Sequence, residues 1–492
     1  MQIKISYSNP INHIISIRLT FNENIPTKLQ LPAWRPGRYE LQNFAQNVTN
    51  LNFSDGKEEL DFQRKTKDLW VTDQVPKRLI VTYDYYAKQM DAGGTWLDNN
   101  QLYINFVTCI FQGIGTEREA IEVTLDVPLN YDFATSLKQE NRLLLAENYF
   151  ELVDSPVIAA ANIKHHQYKQ KDCVFHIWMN GKCKPDWKKL ENDFKKYGEE
   201  QIELFGAFPC KEYHYLFQFL PYKHYHGVEH SHSTVITLGP GKELNTEKMQ
   251  ADLLGISSHE LFHTWNVCRI KPEEFLPNYD FSKETYYETG YITEGITTYY
   301  GDYMLGRSGV FGIDEYFKEI DIYLKRHFEN DGRHTSSLTD SSLKLWLDGY
   351  KLGVPSSKSS IYIKGALAAL ILDLEIRKST TDDNNLDDIM RELWRICGDK
   401  KHGYNHDFYQ AIIEKITRQD FSWYFEKVIF GTHDLYSLLN NALKHVGCKI
   451  TISPNKNSLE SQFGFRVTTS NGHTFVTHLA AGSPASNYLD LR

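Results

Sequence analysis

The pentapeptide H-E-L-F-H at residues 259–263 most constrains what this chain can fold into. Residues four positions apart share one face of an α-helix, so His259 and His263 can bind one metal ion together. Glu260 projects beside them, which places a carboxylate next to that ion. The H-E-x-x-H spacing is typical of zinc peptidases, in which both histidines are ligands and the glutamate is the general base.

The motif lies in a helix predicted to run from about Thr246 to Asn266. The alternative interpretation is a surface helix with two exposed histidines. Phe262 and Trp265 argue against it, because a helix packed through aromatic side chains turns its polar residues toward a cleft. The sequence therefore favours a metal centre at this helix.

A catalytic zinc needs a third protein ligand and one open position. Glu294 is the best candidate for this ligand, because it begins a predicted helix whose apolar residues would pack that helix beside the motif helix. It follows His263 by 31 positions, and Glu284 fits the spacing of familiar zinc peptidases better. The segment around Glu284, residues 282–287, however, shows no clear apolar face. The acidic residues considered as the third ligand are Glu273, Glu274, Asp280, Glu284, Glu288 and Glu294.

Two further segments carry candidate functional residues. Tyr362 opens a predicted helix at 363–378 and could present its hydroxyl to an oxyanion, although such a tyrosine is more often a packed core residue. Gly227 and Glu229 lie in a segment interpreted as a glycine-kinked loop before a predicted strand at 233–238. A carboxylate there could bind the free α-amino group of a peptide, which would indicate an aminopeptidase. The histidines at 224, 226, 230 and 232 are interpreted as solvated or hydrogen-bonded side chains rather than as a second metal site.

The composition argues against several classes of protein. A net charge of -9, a pI near 6.1 and the lack of a dense Lys/Arg block argue against a nucleic-acid partner. The longest apolar run, residues 366–372, is too short to span a bilayer, and the N-terminus has no signal-like apolar core. The seven cysteines form no C-x-x-C pair, so reduced thiols are the simplest interpretation. We therefore expect a cytoplasmic protein without a membrane partner.

The expected fold is multidomain α+β. Residues 1–172 are expected to form an N-terminal domain of antiparallel strands, in which the loop at 31–39 packs one domain on the next. Residues 173–434 are expected to form a thermolysin-like zinc peptidase domain, with an α/β lobe followed by a helical lobe. The strands expected in the first domain are 14–20, 78–85, 102–107 and 121–127; the helices expected after the motif are 293–306, 313–329, 363–378, 385–397, 406–417 and 421–430.

Residues 435–492 are expected to form a third, incomplete module. A helix at 435–445 is predicted to lead into short strands at 449–452, 463–468 and 474–479. The sequence A-A-G-S-P-A-S that follows resembles the start of a PDZ module. Because the chain ends at Arg492, short of a complete module, we expect this sequence to be a fragment.

The motifs together resemble the glycyl aminopeptidase family, PDZ-containing relatives of the aminopeptidase N superfamily. The segments that carry the resemblance span nearly the whole chain: LPAWRPGRY, GVEHSHST, HELFHTWNVCRIKP, TEGITTYY and YIKGALAALILDL. The resemblance implies that His259, His263 and Glu294 bind one Zn²⁺ per chain, with Glu260 as the catalytic base.

The same resemblance implies two roles in substrate handling. Tyr362 matches the tyrosine that stabilises the transition state in aminopeptidase N relatives. Glu229, two residues after Gly227, matches the glutamate that binds the substrate's free amine. The family implies release of N-terminal glycine or another small residue from peptides, and we expect the peptide backbone to lie along the strand at 233–238.

Two other functions stay open at this point. A zinc endopeptidase of the same fold would cleave N-acetylated peptides, which an aminopeptidase should ignore. A non-catalytic peptide-binding scaffold built around the PDZ-like module would keep its function after Glu260→Ala. Neither the physiological substrate nor the oligomeric state follows from the sequence.

Overall fold

The computed structural model describes residues 1–351, 353–354, 357–399, 401–470 and 472–489. The chain forms two compact units. The first comprises Met1–Tyr286, Tyr300–Ile313 and Trp394–Tyr404, and the second comprises Tyr287–Tyr299, Asp314–Leu393 and Asn405–Arg492. The three domains expected from the sequence, with boundaries at 172/173 and 434/435, stay a prediction.

The N-terminal part of the first unit is built on a seven-stranded sheet. Its strands alternate buried and exposed residues, as in Ile14–Phe21, where Ile15, Ile17 and Leu19 enter the core. The sheet departs from the expected purely antiparallel arrangement, because Gln2–Ser6 pairs in parallel with Ile121–Leu125. In spatial order the strands are Lys138–Glu140, Leu143–Ala146, Ile121–Leu125, Gln2–Ser6, Ile14–Phe21, Leu79–Tyr86 and Val48–Ser54.

Two four-stranded sheets complete this β-rich region. The predicted strand at 102–107 is shorter than expected, since Gln101–Ile104 is followed by the helical turn Phe106–Cys109. One sheet contains Gln112–Gly113, Lys28–Gln30, Leu69–Val71 and Gln63–Arg64; the other contains Asp132–Ala134, Val157–Ala160, Gln101–Ile104 and Trp96–Leu97. A second short helix, Tyr149–Val153, precedes Val157–Ala160.

A five-stranded mixed sheet follows and carries part of the candidate site. In spatial order its strands are Lys164–Gln170, Cys173–Gly181, Glu212–Phe219, Ser233–Gly239 and His224–Glu229. Ser233–Gly239 is therefore an internal strand, paired in parallel on one side and antiparallel on the other. We call His224–Glu229 the edge strand, because it lies at the border of the sheet.

Two helices of the first unit pack near this sheet. Trp187–Phe205 was not predicted, although Asp186 caps its first turn and Gly206 ends it with a left-handed φ of 85°. The motif helix is Glu247–Phe262, with Thr246 as its N-cap. It is shorter than predicted, because His263 is already its C-cap.

The remainder of the chain is mainly helical. The predicted helices are confirmed with small shifts of their bounds, with two exceptions. The segment at 293–306 begins in the π-helix Tyr291–Ile296 and continues as the α-helix Thr297–Arg307. The segment at 421–430 is a short α-helical turn followed by a π-helix. The α-helices are Thr297–Arg307, Ile313–Phe328, Leu338–Leu343, Leu345–Asp348, Ile363–Ser379, Leu386–Cys397, His406–Thr417, Ser422–Tyr424 and Leu435–Leu443, and the π-helices are Tyr291–Ile296, Phe425–Ile429 and Leu459–Phe463.

After Leu435–Leu443 the chain forms a two-stranded hairpin of Phe465–Ser470 and His473–Leu479. The prediction of a strand at 449–452 is wrong, because this segment has no regular secondary structure. The PDZ-like interpretation of residues 435–492 stays a prediction. Among the described residues, no helix is both long and apolar enough to cross a membrane.

Candidate active site

The motif helix is fixed by aromatic packing within the first unit. Phe262 stacks on Tyr300 with ring centroids 4.7 Å apart. Trp265 stacks on Phe205, and its indole nitrogen donates to the carbonyl oxygen of Ala207 at 3.2 Å. These contacts hold the last turn of the helix, which carries the motif.

His259 and His263 point toward each other at the end of this helix. Their Nε2 atoms lie 3.0 Å apart. His263 Nδ1 lies 2.7 Å from the carbonyl oxygen of Asn266, which can only accept, so Nδ1 is the donor and Nε2 is the nitrogen that faces a metal ion. Burial, and then the neighbouring His263, lower the pKa of His259 well below its usual value. Two imidazoles with converging Nε2 atoms are a ligand pair that zinc prefers, so this pair fits a zinc ion.

Hydrogen bonds of Ser258, the residue before His259, hold the turn that carries the two histidines. The Ser258 hydroxyl donates to the carbonyl oxygen of Gly301 at 2.7 Å, and Gln201 donates to the Ser258 carbonyl at 2.9 Å. A Cβ on Gly301 would lie 3.2 Å from the Cα of His259, so the two backbones are close. The ligand-bearing turn therefore has little freedom to shift.

Glu260 faces the edge strand rather than solvent. Thr234 Oγ1 lies 3.5 Å from Glu260 Oε2. A Cβ on Gly227 would collide with Glu260 Oε1. Gly227 was expected to kink a loop, and this expectation is wrong, because it is paired with Ile236 inside the extended edge strand. The missing side chain at Gly227 leaves room for the Glu260 carboxylate.

Glu229 ends the edge strand and is buried beside the motif. Ligating atoms of Glu229, Glu260 and His263 all lie within 4.8 Å of one another. Both carboxylates are buried, with 8% and 5% of their surface exposed. Two buried carboxylates at this distance repel each other unless a cation lies between or beside them. The arrangement is therefore suited to a metal ion together with a substrate ammonium group.

The loop at 31–39 also contributes to this site. Gly37, with φ of 74°, lies so close that a Cβ there would lie 2.6 Å from Glu229 Oε2. Trp34 anchors the loop by donating from its indole nitrogen to the carbonyl oxygen of Asp280 at 2.9 Å. The loop was interpreted from the sequence as a packing element, and its contact with Glu229 was missed.

A cavity of about 390 Å³ adjoins Glu229 in the first unit. Its walls combine apolar side chains with charged ones. They include Phe150, Asp154, His230, Cys268, Lys271, Tyr279 and Phe281. This cavity offers space beside the Glu229 carboxylate for part of a ligand.

The strand expected to pair with the substrate is not available. Ser233–Gly239 is hydrogen-bonded along both sides, to Glu212–Phe219 and to the edge strand. An added peptide strand needs a strand at the border of the sheet. The edge strand His224–Glu229 has that position.

Glu294 and Tyr362 both lie in the second unit. Glu294 is buried within the π-helix Tyr291–Ile296, a helix type frequent at functional sites. Tyr362 is the N-cap of Ile363–Ser379. Burial, and then the nearby Glu294, raise the pKa of the Tyr362 phenol well above its usual value, so the phenol keeps its proton and can donate it in a hydrogen bond.

Two glycines bring the elements of Glu294 and Tyr362 together. A Cβ on Gly365 would lie only 2.7 Å from the Cα of Gly295. Lys364, between Tyr362 and Gly365, is buried and donates to the Ser336 carbonyl oxygen at 3.2 Å.

Two histidines near the edge strand, His226 and His230, have hydrogen-bond partners within the protein. His226 accepts from the backbone N–H of Ala92 at 3.2 Å, and His230 bonds to Asp154. Ligating atoms of His176, Glu212 and His214 lie within 4.8 Å of one another on the five-stranded sheet. The Trp178 indole donates to Nδ1 of His214, which leaves the proton of that neutral ring on Nε2 and opposes metal binding there.

Comparison with known proteins identifies the family of this chain. Residues 2–161 match the profile of the Peptidase M61 N-terminal domain, and residues 252–368 match that of M61 glycyl aminopeptidase. The chain belongs to the M61 glycyl aminopeptidase family. Members of this family are hydrolases of the metallo-aminopeptidase class, and so is this chain. A search of curated proteins found no match.

Solved structures similar to this family member were also found. An aminopeptidase N family protein from Idiomarina loihiensis is 25% identical, with a TM-score of 0.91, over 100% of this chain and 88% of that one. An M1 zinc metallopeptidase variant from Deinococcus radiodurans, bound to the substrate Tyr-Ser-Ala, is 13% identical. That likeness has a TM-score of 0.50 over 84% of this chain and 89% of that one, and it shows the fold alone.

Proposed function

We propose that this chain is a zinc aminopeptidase that removes N-terminal glycine or another small residue from peptides. The observation that carries the proposal is the proximity of Glu229 to Glu260 and His263, within 4.8 Å. In a peptide, the α-nitrogen and the first carbonyl carbon are about 2.5 Å apart. An ammonium group bound at Glu229 therefore leaves space for one residue before the carbonyl that is attacked.

One zinc ion per chain is held by His259, His263 and Glu294 in this proposal. The converging Nε2 atoms of the two histidines support it, as does the burial of the Glu294 carboxylate. Three protein ligands leave one position open, as catalysis requires. When bound, zinc supplies Lewis acidity toward the scissile carbonyl and the attacking water.

Two side chains of the protein, Glu260 and Tyr362, transfer the proton and stabilise the developing negative charge. Glu260 takes a proton from the attacking water at its carboxylate and passes it to the nitrogen of the leaving amine. Tyr362 donates a hydrogen bond from its phenolic hydroxyl to the oxyanion that develops on the carbonyl oxygen. The high pKa of Tyr362 supports this role, because the phenol stays protonated at neutral pH.

The substrate is oriented by its amine and its backbone. Glu229 accepts hydrogen bonds from the α-ammonium group, and the peptide backbone pairs with the edge strand His224–Glu229. The preference for glycine or another small residue rests on the family, because the cavity of about 390 Å³ beside Glu229 has room for more than a hydrogen atom.

The test is hydrolysis of glycine and leucine p-nitroanilides, with N-acetylglycine p-nitroanilide alongside. Each substrate is measured before chelation, after chelation and after zinc is added back. We expect chelator-sensitive cleavage of the free-amine substrates, with glycine cleaved faster than leucine and the acetylated substrate resistant. Zinc-dependent cleavage of the acetylated substrate would instead indicate an endopeptidase, and no cleavage with zinc bound would favour a scaffold.

A further inference from the structure

The turn that follows Glu229 is held by two charged side chains. Residues 230–232 connect the edge strand to Ser233–Gly239, and the backbone N–H of His230 donates to the Ser233 carbonyl oxygen at 2.9 Å. Ser231 lies at the tip of this turn. Both its backbone N–H and its carbonyl oxygen are bound by ionisable side chains from distant parts of the chain.

Asp154 binds the turn from one side. Its Oδ2 accepts from the backbone N–H of Ser231 at 3.0 Å, and its Oδ1 lies 3.1 Å from His230 Nδ1. Burial alone would raise the pKa of Asp154, but the hydrogen bonds from His230 and Ser231 lower it to about 2. The carboxylate is therefore ionised, and His230 Nδ1 is the donor of the pair.

Arg269 binds the turn from the other side. Its Nη1 and Nη2 each donate to the Ser231 carbonyl oxygen at 3.3 Å, and Nη1 also donates to the Thr264 carbonyl oxygen at 2.6 Å. Thr264 directly follows His263. A single buried guanidinium thus joins the turn after Glu229 to the residue after His263.

We propose that Asp154 and Arg269 are positioning residues that fix the distance between the amine-binding Glu229 and the metal-binding end of the motif helix. This inference rests on the proposed function, since it assumes that Glu229 binds the substrate amine. The pair acts through the backbone of Ser231. Fixing this distance limits cleavage to the bond after the first residue.

The chemistry of the two residues suits such a role. A planar guanidinium has donors directed to two acceptors at once, whereas the single ammonium of lysine does not reproduce this geometry. A carboxylate accepts two hydrogen bonds at its two oxygens, and asparagine keeps only one accepting oxygen. Asp154→Asn and Arg269→Lys therefore weaken the attachment with little change in side-chain volume.

The experiment compares D154N and R269K with the wild-type enzyme in the full chain. The readouts are KM and kcat for glycine p-nitroanilide, inhibition by glycinamide, and inhibition by acetohydroxamate, which chelates metal but has no amine. Zinc content and Tm are measured on the same samples. The matched controls are Asp126→Asn and Arg391→Lys, because both side chains are largely exposed and form surface ion pairs.

We expect each variant to raise two constants about tenfold: KM for glycine p-nitroanilide and the inhibition constant of glycinamide. Tenfold is the change in binding that corresponds to the loss of one hydrogen bond to a charged group. Zinc content and acetohydroxamate inhibition should stay unchanged. A lower Tm with unchanged KM and glycinamide inhibition would overturn the proposal, since it would show a structural role only. Equal weakening of glycinamide and acetohydroxamate would also overturn it.

These outcomes are separate from a failure of the proposed function. If the wild-type enzyme cleaves the acetylated substrate or does not respond to glycinamide, then Glu229 is not an amine anchor and the proposed function fails first. Should D154N fail to fold, R269K retains the positive charge and provides the same test.

Discussion

Alanine at Gly227 should disable Glu260 without removing the metal. Gly227 lies in an extended strand and has no positive φ, so alanine is compatible with its backbone and only the new methyl group matters. That methyl would collide with Glu260 Oε1 and would lie 2.7 Å from Glu260 Cδ and 3.1 Å from Cγ.

The size of the effect follows from this geometry. Ordinary van der Waals contact begins at 3.4 Å, so the Glu260 carboxyl group must move by about 1 Å. Misplacing a reacting group by about 1 Å costs about 10²-fold in rate, which corresponds to about 2.7 kcal/mol of activation free energy. We therefore expect kcat for glycine p-nitroanilide to fall about 10²-fold in G227A.

The assay measures kcat, KM and zinc content together. Zinc should stay bound, because the three atoms nearest the new methyl group all belong to Glu260. The control is Gly255→Ala in the motif helix, where the new Cβ meets Asp302 at an ordinary 3.7 Å. That variant should keep full activity. An unchanged kcat in G227A would refute the conclusion that Glu260 is confined by the edge strand, and loss of zinc would show that the collision displaces the helix instead.

Three further predictions follow from the site. Glu260→Gln should lower kcat by about 10²–10⁴-fold while zinc, measured by metal analysis, stays bound; retained activity would exclude Glu260 as the base. Tyr362→Phe should lower kcat by about 10²–10³-fold with little change in KM, and an equal rise in KM would point to ground-state binding instead. Burial lowers the Lys364 pKa from 10.5 to about 8, so between these values only the unfolded chain holds the proton. The unfolding free energy should therefore rise with pH from 8 to 10.5, and Lys364→Met, followed by urea unfolding across this range, should remove the rise.

The motif helix and its two histidines could be predicted because their signals are local. The four-residue spacing of His259 and His263, and the aromatic residues beside them, lie within one short segment. The Trp187–Phe205 helix also had local signals, since Asp186 and Gly206 mark its two ends.

The contacts of Glu229 could not be predicted, because they depend on pairing and packing between distant segments. Gly227 leaves room for Glu260 only because it pairs with Ile236 and faces a helix formed by later residues. Gly37 and Asp154 reach the same region from the β-rich part of the chain. No spacing rule links these positions, whose proximity comes from tertiary structure alone.

The contact between Gly295 and Gly365 has a consequence for motion. With no side chain between the two backbones, a shift of one helix toward the other is blocked at once by backbone contact. Glu294 and Tyr362 therefore belong to a single rigid block of the second unit. Any motion of the second unit would move the Glu294 carboxylate and the Tyr362 phenol together, so that the distance between them is kept.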